Sequence, residues 1–493
     1  MRPRPGLQDV VLVDDGDGDD QGGDSPVAES DGADAGRARR FVRRWRWPVA
    51  GVVVLALVSA GVVASRRDAA RLADLAGVPG ILAPLDGRVR ELWTTADFPF
   101  PTISDLGGVL VGATYDMVAF ADPQVRGVEA RTGEELWSMP LGGQPGGSRC
   151  VPAAGPVAGP RQAVLVCVVV DAVEDAVEEG AAGSSPGETT WRRPTRVHLA
   201  VLDPRTGRVL REQPAAPDDW LVAFGTDVVR TSAGEGGTDV TRLDPRTGEA
   251  VWTSHHPADS GELVQSGYAV TDGDGLLVSA GSRAWLLSST GELVDEWEVA
   301  TDDGWSLFQA GGHVLRAEYA SNASGLVLTD LVTGVRITPP EGSSPWPGVD
   351  DGSMPGVLFT SGLGLAAWDL GTGERRWQRE GAATGAVDGA FVLDGAVYTV
   401  GDGVVSALDG ASGKELWTVR TGLSGPYDLA TDGRSLLVLG SASGSATSTV
   451  RALDLTDGRL QWDAPLTHPM QSLEVSAGHL FAQTDEGVFV ALG

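Results

Sequence analysis

The segment Ala407-Leu408-Asp409-Gly410-Ala411-Ser412-Gly413-Lys414-Glu415-Leu416-Trp417 decides the fold, because closely similar segments recur along most of the chain. An Asp-x-x-Ser/Thr-Gly sequence between two apolar runs is typical of a tight turn between strands. The Asp side chain can accept backbone hydrogen bonds there, and the Gly can adopt a positive φ. Two strands alone cannot bury the tryptophan four residues after the glycine. A neighbouring copy of the repeat is therefore expected to cover it.

The turn and the tryptophan occur together in five copies, which end at Trp137, Trp252, Trp377, Trp417 and Trp462. Four of these copies carry the turn residues Asp244 and Gly248, Asp369 and Gly373, Asp409 and Gly413, and Asp454 and Gly458. Three further copies keep the turn but lack a tryptophan at that spacing, and their turn glycines are Gly207, Gly291 and Gly334. An aromatic residue at a fixed repeat position is more often core than binding site. We therefore predict blade-docking roles for the tryptophans and turn-forming roles for the aspartates and glycines.

The spacing of the repeat shows one interruption. The eight turn glycines, beginning with Gly133, are 74, 41, 43, 43, 39, 40 and 45 residues apart. The long first interval contains residues 171–193, an acidic segment with Ser, Gly and Pro that separates two apolar runs. We interpret this segment as a hairpin loop that has grown long. It is expected to be solvated and disordered, with a partner-binding loop as the alternative.

Each repeat period holds about four short apolar runs, for example residues 389–393, 396–400, 404–408 and 415–419. Four strands in about 40 residues are typical of a propeller blade, because a twisted four-stranded sheet buries its faces only against neighbouring sheets. We therefore predict an all-β propeller of four-stranded blades over residues 85–493. Eight turns and a closing unit favour eight blades and allow seven to nine. Pairing of residues 85–93 with residues 488–493 would close the ring.

The N-terminal part differs from the repeats. Residues 1–36 carry ten acidic residues against two arginines, which predicts a disordered acidic cytoplasmic tail. The basic residues 37–47 precede an uncharged run, 48–65, that as a helix would span about 27 Å. More arginines precede this run than follow it, so the positive-inside rule predicts a single-pass membrane helix, a linker over 66–84 and an extracytoplasmic propeller. A cleaved signal peptide and a buried core helix are the alternatives.

The distribution of charge argues against one class of partner. The formal net charge is −30, and the tail (−8) cancels residues 37–71 (+8), so residues 72–493 carry all of it. So acidic a domain repels phosphate backbones, which argues against nucleic-acid binding. We expect a monomeric propeller that meets the membrane through its one helix.

The Ala-Leu-Asp-x-x-Ser/Thr-Gly-x-x-x-Trp pattern resembles the repeat of the PQQ-like propellers, the superfamily of the quinoprotein alcohol dehydrogenases. The resemblance covers about residues 85–493, and in that family the repeat tryptophan docks between adjacent blades. The dehydrogenases are similar to one another in a pair of adjacent cysteines beside the cofactor, and this chain has no adjacent cysteines. The resemblance is therefore closer to the non-catalytic BamB-like group and implies no PQQ cofactor.

Other patterns that could carry chemistry stand alone. His255 and His256 have no further Cys or His at metal-ligand spacing, which favours an exposed turn over a zinc site. Asp272 and Asp274 are typical of a turn between strands rather than of a calcium loop. Residues 183–187 match Gly-x-Ser-x-Gly but lack the preceding strand and following helix of a nucleophile elbow. We predict no catalytic, cofactor-binding or metal-binding residue.

The chain has two cysteines, Cys150 and Cys167. In an exported domain they are expected to pair, whereas in a cytosolic domain they would be free buried thiols. They lie in consecutive apolar runs and could face one another across adjacent strands of one blade. A disulfide there would contribute about 3 kcal/mol to stability.

Together these patterns favour a membrane-anchored extracytoplasmic propeller that binds or scaffolds a protein or a cell-envelope polymer. One alternative is a PQQ-dependent oxidoreductase. Another is a sensor whose propeller binds outside the cell and whose acidic tail reports inside. Because the fold permits all three, we expect the function to depend on the loops and on the insertion at 171–193.

Overall fold

The protein is represented by a computed structural model, and the chain divides into two compact units, residues 1–69 and residues 70–493. The described residues are 59, 65–75, 77–85, 87–95, 104–116, 121–142, 150–154, 163–177, 190–234, 236–257, 269–272, 275–280, 283–298, 304–310, 313–319, 325–340, 343–345, 349–362, 364–380, 390–401, 403–425, 428–442 and 444–493. The predicted tail, the predicted basic segment and nearly all of the predicted membrane helix lie outside them. Within the described ranges, no helix has both the length and the apolar character that a membrane span requires.

Nine sheets, which we number as blades 1 to 9 in chain order, are formed by the described strands. Blade 1 contains β2 (Ser104–Asp105), β3 (Val109–Asp116), β4 (Ala121–Glu129) and β5 (Glu135–Pro140). Blade 2 contains β6 (Cys150–Ala153), β7 (Val164–Val177), β8 (Thr190–Leu202) and β9 (Val209–Ala215). Blade 3 contains β10 (Trp220–Phe224), β11 (Asp227–Gly234), β12 (Gly237–Leu243) and β13 (Ala250–Pro257). Blade 4 contains β14 (Ala269–Asp272), β15 (Gly275–Ala280), β16 (Arg283–Ser288) and β17 (Leu293–Glu298).

The remaining blades follow the same plan. Blade 5 contains β18 (Gly304–Ala310), β19 (His313–Tyr319), β20 (Leu326–Asp330) and β21 (Arg336–Ile337), and blade 6 contains β22 (Ser344–Pro345), β24 (Val357–Ser361), β25 (Gly364–Asp369) and β26 (Arg375–Glu380). Blade 7 contains β23 (Val349–Asp350), β27 (Ala390–Leu393), β28 (Ala396–Gly401), β29 (Val404–Asp409) and β30 (Glu415–Arg420). Blade 8 contains β31 (Leu423–Ser424), β32 (Leu429–Thr431), β33 (Ser435–Ala442), β34 (Ser448–Asp454) and β35 (Leu460–Pro465). Blade 9 contains β36 (Met470–Ser476), β37 (His479–Thr484), β38 (Phe489–Leu492) and β1 (Glu91–Thr95).

The prediction of an all-β propeller of four-stranded blades is confirmed, but the favoured number of eight blades is wrong. The described residues form nine sheets, which is the upper end of the predicted range. The copies with turn glycines Gly207, Gly291 and Gly334, which lack the tryptophan spacing, belong to complete four-stranded sheets. Backbone pairing holds these sheets together, so the loss of one side chain does not remove a blade.

Blade 9 closes the ring by combining strands from two distant parts of the chain. Strand β1 pairs antiparallel with β38, from Glu91 opposite Leu492 to Thr95 opposite Phe489. Trp93 and Phe481 of this sheet pack in one hydrophobic cluster with Leu110 of blade 1. The predicted closure through the N-terminal strand is therefore confirmed.

The hydrophobic core is divided among the interfaces between blades. The described buried residues form nine clusters, and each cluster lies between two consecutive blades. The cluster between blades 7 and 8 includes Leu393, Tyr398 and Leu436, all buried. The cluster between blades 4 and 5 is the smallest, with three buried residues. Each sheet thus buries both faces against its neighbours, as repeat architectures require.

The eight turns identified from the sequence join the third and fourth strands of blades 1 to 8, and we call them the signature turns. Their glycines all have a positive φ, between 63° and 81°. Four aspartate side chains accept a backbone N–H two or three residues ahead, at 2.8 to 3.0 Å. These four are Asp244, Asp369, Asp409 and Asp454. The turn conformation therefore depends on two features that recur in the repeats, the glycine backbone and the aspartate carboxylate.

Four repeat tryptophans, Trp137, Trp252, Trp377 and Trp417, dock on the signature turn of the following blade. The indole Nε1 atoms donate hydrogen bonds of 2.9 Å to backbone oxygens of that turn, which belong to Pro204, Ser289, Gly410 and Leu455. A Cβ added at the turn glycines Gly207, Gly291, Gly413 and Gly458 would lie 2.6 Å from the nearest ring atom. Trp462 packs against the cluster between blades 8 and 9.

Candidate functional site

The two ends of the propeller are built from different connections. Turns between first and second strands lie at the same end as the signature turns, as shown by the hydrogen bonds from Gly410 N to Gly395 O (2.8 Å) and from Ala130 N to Gly108 O (3.1 Å). We call this end the turn face. Apart from β23, which pairs parallel with β27, neighbouring strands of the blades are antiparallel. The connections between second and third strands, and those between blades, therefore lie at the opposite end. We call that end the loop face.

On the loop face, blade 2 extends well beyond the repeat. Its second and third strands, β7 and β8, have 14 and 13 residues, whereas the equivalent strands β11 and β12 of blade 3 have 8 and 7. They stay paired as far as Val177 opposite Thr190. About six extra residues in each strand carry the hairpin about 20 Å past the blade. We call residues 171–193 the extended hairpin.

The expectation that residues 171–193 form a disordered loop is wrong for both ends of the segment. Residues 171–177 and 190–193 are β-strand, and residues 178–189 lie outside the described residues. The small and charged residues of this segment have weak strand propensity. Direct continuation of two strongly paired strands outweighs that propensity, because each added residue pair extends an existing ladder.

No strand of the described chain pairs with the outer edges of the extended hairpin. Strand β6 follows β7 only as far as Cys150 opposite Cys167. Beyond β6, the outer edge of β7 makes one more backbone hydrogen bond, of 2.7 Å, from Val170 N to Leu141 O. On the other side, β9 begins to pair with β8 at Val197. The hairpin therefore presents backbone edges that an additional strand could join.

Charged residues of opposite sign face one another at the base of the hairpin. His198 Nδ1 lies 3.0 Å from Asp171 Oδ2, and Arg196 Nε lies 3.9 Å from the same oxygen. Further along, Glu174 stands opposite Arg193 in the strand register. One strand of the hairpin is therefore acidic and the other basic, which favours their mutual pairing over pairing with a second copy of either strand.

A disulfide lies just below the hairpin. Cys150 and Cys167 are bonded and stand directly opposite one another in β6 and β7, with Cα atoms 4.0 Å apart. The predicted pairing is confirmed. The bond ties the first strand of blade 2 to the strand that continues into the extended hairpin, so it limits motion at the hairpin base.

Two carboxylates approach one another where blades 8 and 9 meet. Asp428 directly precedes β32, and its Oδ2 accepts the N–H of Leu473 at 2.7 Å. Partial burial, followed by the nearby charge of Asp428, raises the pKa of Glu474 to about 7, although the Glu474 side chain still reaches solvent. A perturbed carboxyl group is one mark of a functional site. Among the described residues, however, no group of three or more His, Cys, Asp or Glu could hold a metal ion.

The predicted exposed turn at His255 and His256 is wrong, because both residues lie within strand β13, and only His255 is exposed. His255 Nδ1 is 2.8 Å from Asp239 Oδ1 at the surface. His256 is instead buried and stacks on Trp285 of blade 4, with ring centroids 4.9 Å apart. Burial, and then the charge of His255, lowers the pKa of His256. Asp274 and residues 183–187 lie outside the described residues.

Sequence reasoning missed a buried polar cluster around His256. Four buried atoms there have no hydrogen-bond partner among the described residues, and they are His256 Nε2, Trp285 Nε1, Thr231 Oγ1 and Thr238 Oγ1. Thr238 stands opposite His256 in the register of β12 and β13. No sequence motif predicts the cluster, because its members come from four different strands of two blades.

Sequence reasoning also missed Arg211. It stands four residues after Gly207, the position of the repeat tryptophan, and its guanidinium lies against the next signature turn at Gly248. A Cβ on Gly248 would lie 2.4 Å from Arg211 Cζ. The planar guanidinium thus covers the turn as an indole ring does elsewhere. The spacing from the glycine was the signal that could have identified it.

The nine repeats, the signature turns and the docked tryptophans define a β-propeller of PQQ-like repeats. The profile of the family described as outer membrane protein assembly factor BamB matches residues 121–379 and 347–491. These residues make up well over half of the chain, so the chain belongs to this family.

Several solved structures match this chain. BamB from Moraxella catarrhalis is 17% identical, with 82% of this chain and 99% of that chain covered and a TM-score of 0.36. A eukaryotic initiation factor is 11% identical, with 79% and 91% covered and a TM-score of 0.44. The computationally designed Ika8 protein is 15% identical, with 65% and 99% covered and a TM-score of 0.36. Comparison with curated protein sequences gives no match.

Proposed function

We propose that this protein is a membrane-anchored, extracytoplasmic scaffold that binds a protein partner through the extended hairpin. The observation that carries the proposal is the hairpin itself, which extends beyond the body of blade 2. No described strand pairs with either of its outer edges. A strand supplied by a partner can add to such an edge through backbone hydrogen bonds. The acidic strand and the basic strand of the hairpin would then select the partner by charge.

The disulfide supports an extracytoplasmic location. Disulfides persist in oxidising compartments and are rare in the cytosol, and Cys150 and Cys167 are bonded in blade 2. The uncharged run at 48–65, with more arginines before it than after it, supports a single membrane helix that places the propeller on the same oxidising side.

Membership of the BamB family supports a scaffold over an enzyme. The family is described by a role in the assembly of other proteins, not by a reaction. The proposal accordingly assigns the repeat tryptophans and turn residues to the framework and the extended hairpin to recognition. It assigns no residue to catalysis and no cofactor to the propeller.

Photo-crosslinking in native membranes tests the proposal. A photoreactive amino acid at Glu174, exposed on the hairpin, is compared with one at Ala446, exposed on the loop face of blade 8. We expect a discrete protein adduct from position 174 only. Equal yields from both positions, or an adduct to a carbohydrate polymer instead of a protein, would contradict the proposed partner. Loss of the protein from washed membranes would contradict the anchor.

A further inference from the structure

The segment that precedes the first blade is fastened to the turn face. Residues 65–75 form helix α1, and in its last two turns Arg71 Nε donates to Asp394 Oδ2 at 2.7 Å and Arg71 Nη1 donates to Gly433 O at 2.8 Å. Leu72 and Leu75 are 8% and 6% exposed. A Cβ on Gly433 would lie 2.9 Å from Leu75 Cδ1, so the helix and this turn are in close contact.

The attachment continues along residues 81–85. Leu82 N donates to Thr431 O at 2.8 Å, and Ala83 N donates to Gly478 O at 3.2 Å. Leu85 N donates to Asp432 Oδ2 at 3.2 Å. The turns contacted, at Asp394, Gly433 and Gly478, each join the first and second strands of their blades, 7, 8 and 9. All of them therefore belong to the turn face.

The extended hairpin lies at the other end of the strands. It joins the second and third strands of blade 2, a connection that the antiparallel order places on the loop face. Strands β28–β30 of blade 7 and β33–β35 of blade 8, which run between the two faces, are six to eight residues long and span about 20 Å. The N-terminal attachment and the hairpin thus mark opposite faces of the propeller.

We propose that the propeller lies with its turn face toward the membrane and its extended hairpin directed away from it. This inference rests on the proposed membrane helix. Ser65, the end of that helix, and Arg71 are six positions apart and both lie in α1, so the tether between them spans only about 9 Å. So short a tether, fastened at blades 7 to 9, cannot bring the loop face to the lipid surface. The hairpin is then accessible to a partner in the surrounding compartment or on a facing structure.

Energy transfer from matched dye sites to labelled lipid headgroups tests the orientation. Ala411→Cys lies exposed on the turn face of blade 7, and Ala446→Cys lies exposed on the loop face of blade 8. Both natural cysteines are in the disulfide, so a maleimide dye labels only the introduced thiol. With the full chain in lipid vesicles, we expect roughly twofold greater donor quenching at Ala411→Cys, because the sites differ in height by about 20 Å.

Two controls separate the orientation from the anchor. Insertion of a long Gly-Ser segment between Ala69 and Ala70 should abolish the difference while the protein stays in the vesicles, because a flexible tether lets the propeller tumble. Equal quenching at the two sites of the natural chain, with the protein retained in vesicles, would overturn the orientation alone. Failure of the full chain to float with vesicles would overturn the anchor and, with it, the orientation.

Discussion

Gly413 shows how one residue meets two separate demands. Its φ is +68°, a left-handed conformation that L-residues adopt only at a cost, and the ring of Trp377 occupies the space where a side chain would begin. Gly334 has a similar φ of +73° but no neighbour within 4 Å of an added Cβ. The two glycines therefore separate the conformational demand from the packing demand.

We expect Gly413→Ala to destabilise the protein more than Gly334→Ala. In the control, Gly334→Ala, the only cost is that of an alanine in a left-handed conformation, about 1–2 kcal/mol. Gly413→Ala must also displace the Trp377 ring, which adds about 1–3 kcal/mol. Urea unfolding followed by tryptophan fluorescence measures both variants. Equal losses of stability would show that the tryptophan yields easily and that docking contributes little.

The spacing of single residues predicted this part of the structure well. A glycine, an aspartate and a tryptophan at fixed separations are enough to predict a turn and an aromatic covered by the next repeat. The role of Arg211 was not predicted, because only aromatic residues were expected to cover a signature turn. A planar guanidinium can cover it as well. His256 and Trp285 escaped because their contact joins strands about 30 residues apart in different blades, and no local pattern records such a contact.

At the scale of elements, the extended hairpin is the main departure from the prediction. The composition of residues 171–193 indicated a loop. In the structure, however, the pairing between β7 and β8 continues into both ends of this segment. The weak strand propensity of these residues is outweighed by the hydrogen bonds that extend an existing pair of strands. The disulfide, by contrast, was expected for an exported domain, because the two cysteines lie in apolar runs that could be neighbouring strands.

Removal of the disulfide tests how firmly the base of the hairpin is held. We expect the double variant Cys150→Ala, Cys167→Ala to lose about 3 kcal/mol of stability, because the bond restricts the unfolded chain over a separation of 17 residues. Thermal or urea unfolding under non-reducing conditions gives the measurement. Reductant should lower the stability of the natural protein by a similar amount and leave the variant unchanged. A variant as stable as the natural protein would contradict this role.

At the scale of the whole molecule, ring closure depends on polar as well as apolar contacts. His479 Nε2 of blade 9 lies 2.7 Å from Asp105 Oδ2 of blade 1. Glu91 of β1 accepts the N–H of Thr467 at 2.7 Å. Burial acts to raise the pKa of Asp105, but hydrogen bonds from His479 and from Gly108 N outweigh it and lower that pKa. The ionised carboxylate is therefore stabilised by folding.

We expect Asp105→Asn to weaken the closure at neutral pH and to matter less in acid. A carboxyl group whose pKa is lowered by folding stabilises the protein above its unfolded pKa, near 3.8, and that contribution is lost as pH falls through the folded value. The loss at pH 7 should be about 1–2 kcal/mol and should shrink toward pH 3. Thermal unfolding at several pH values gives the comparison.

Asp239→Asn provides the matched control for the closure. Asp239 also pairs with a histidine, His255, but both lie exposed within blade 3. Its removal should cost less at pH 7, since exposed ion pairs contribute little. If both variants lose the same stability, the pair at the closure has no special role in holding the ring.

The docking of each tryptophan on the following blade has an evolutionary consequence. Every contact of this kind points the same way around the ring, from the outer strand of one repeat to the signature turn of the next. Where a repeat carries the tryptophan, loss or duplication of a whole neighbouring repeat of about 40 residues would leave that tryptophan facing an equivalent turn, so the junction would be rebuilt from the same parts. Such a chain can change its number of repeats in single genetic events. Substitution within one junction, as at Arg211, affects that junction alone.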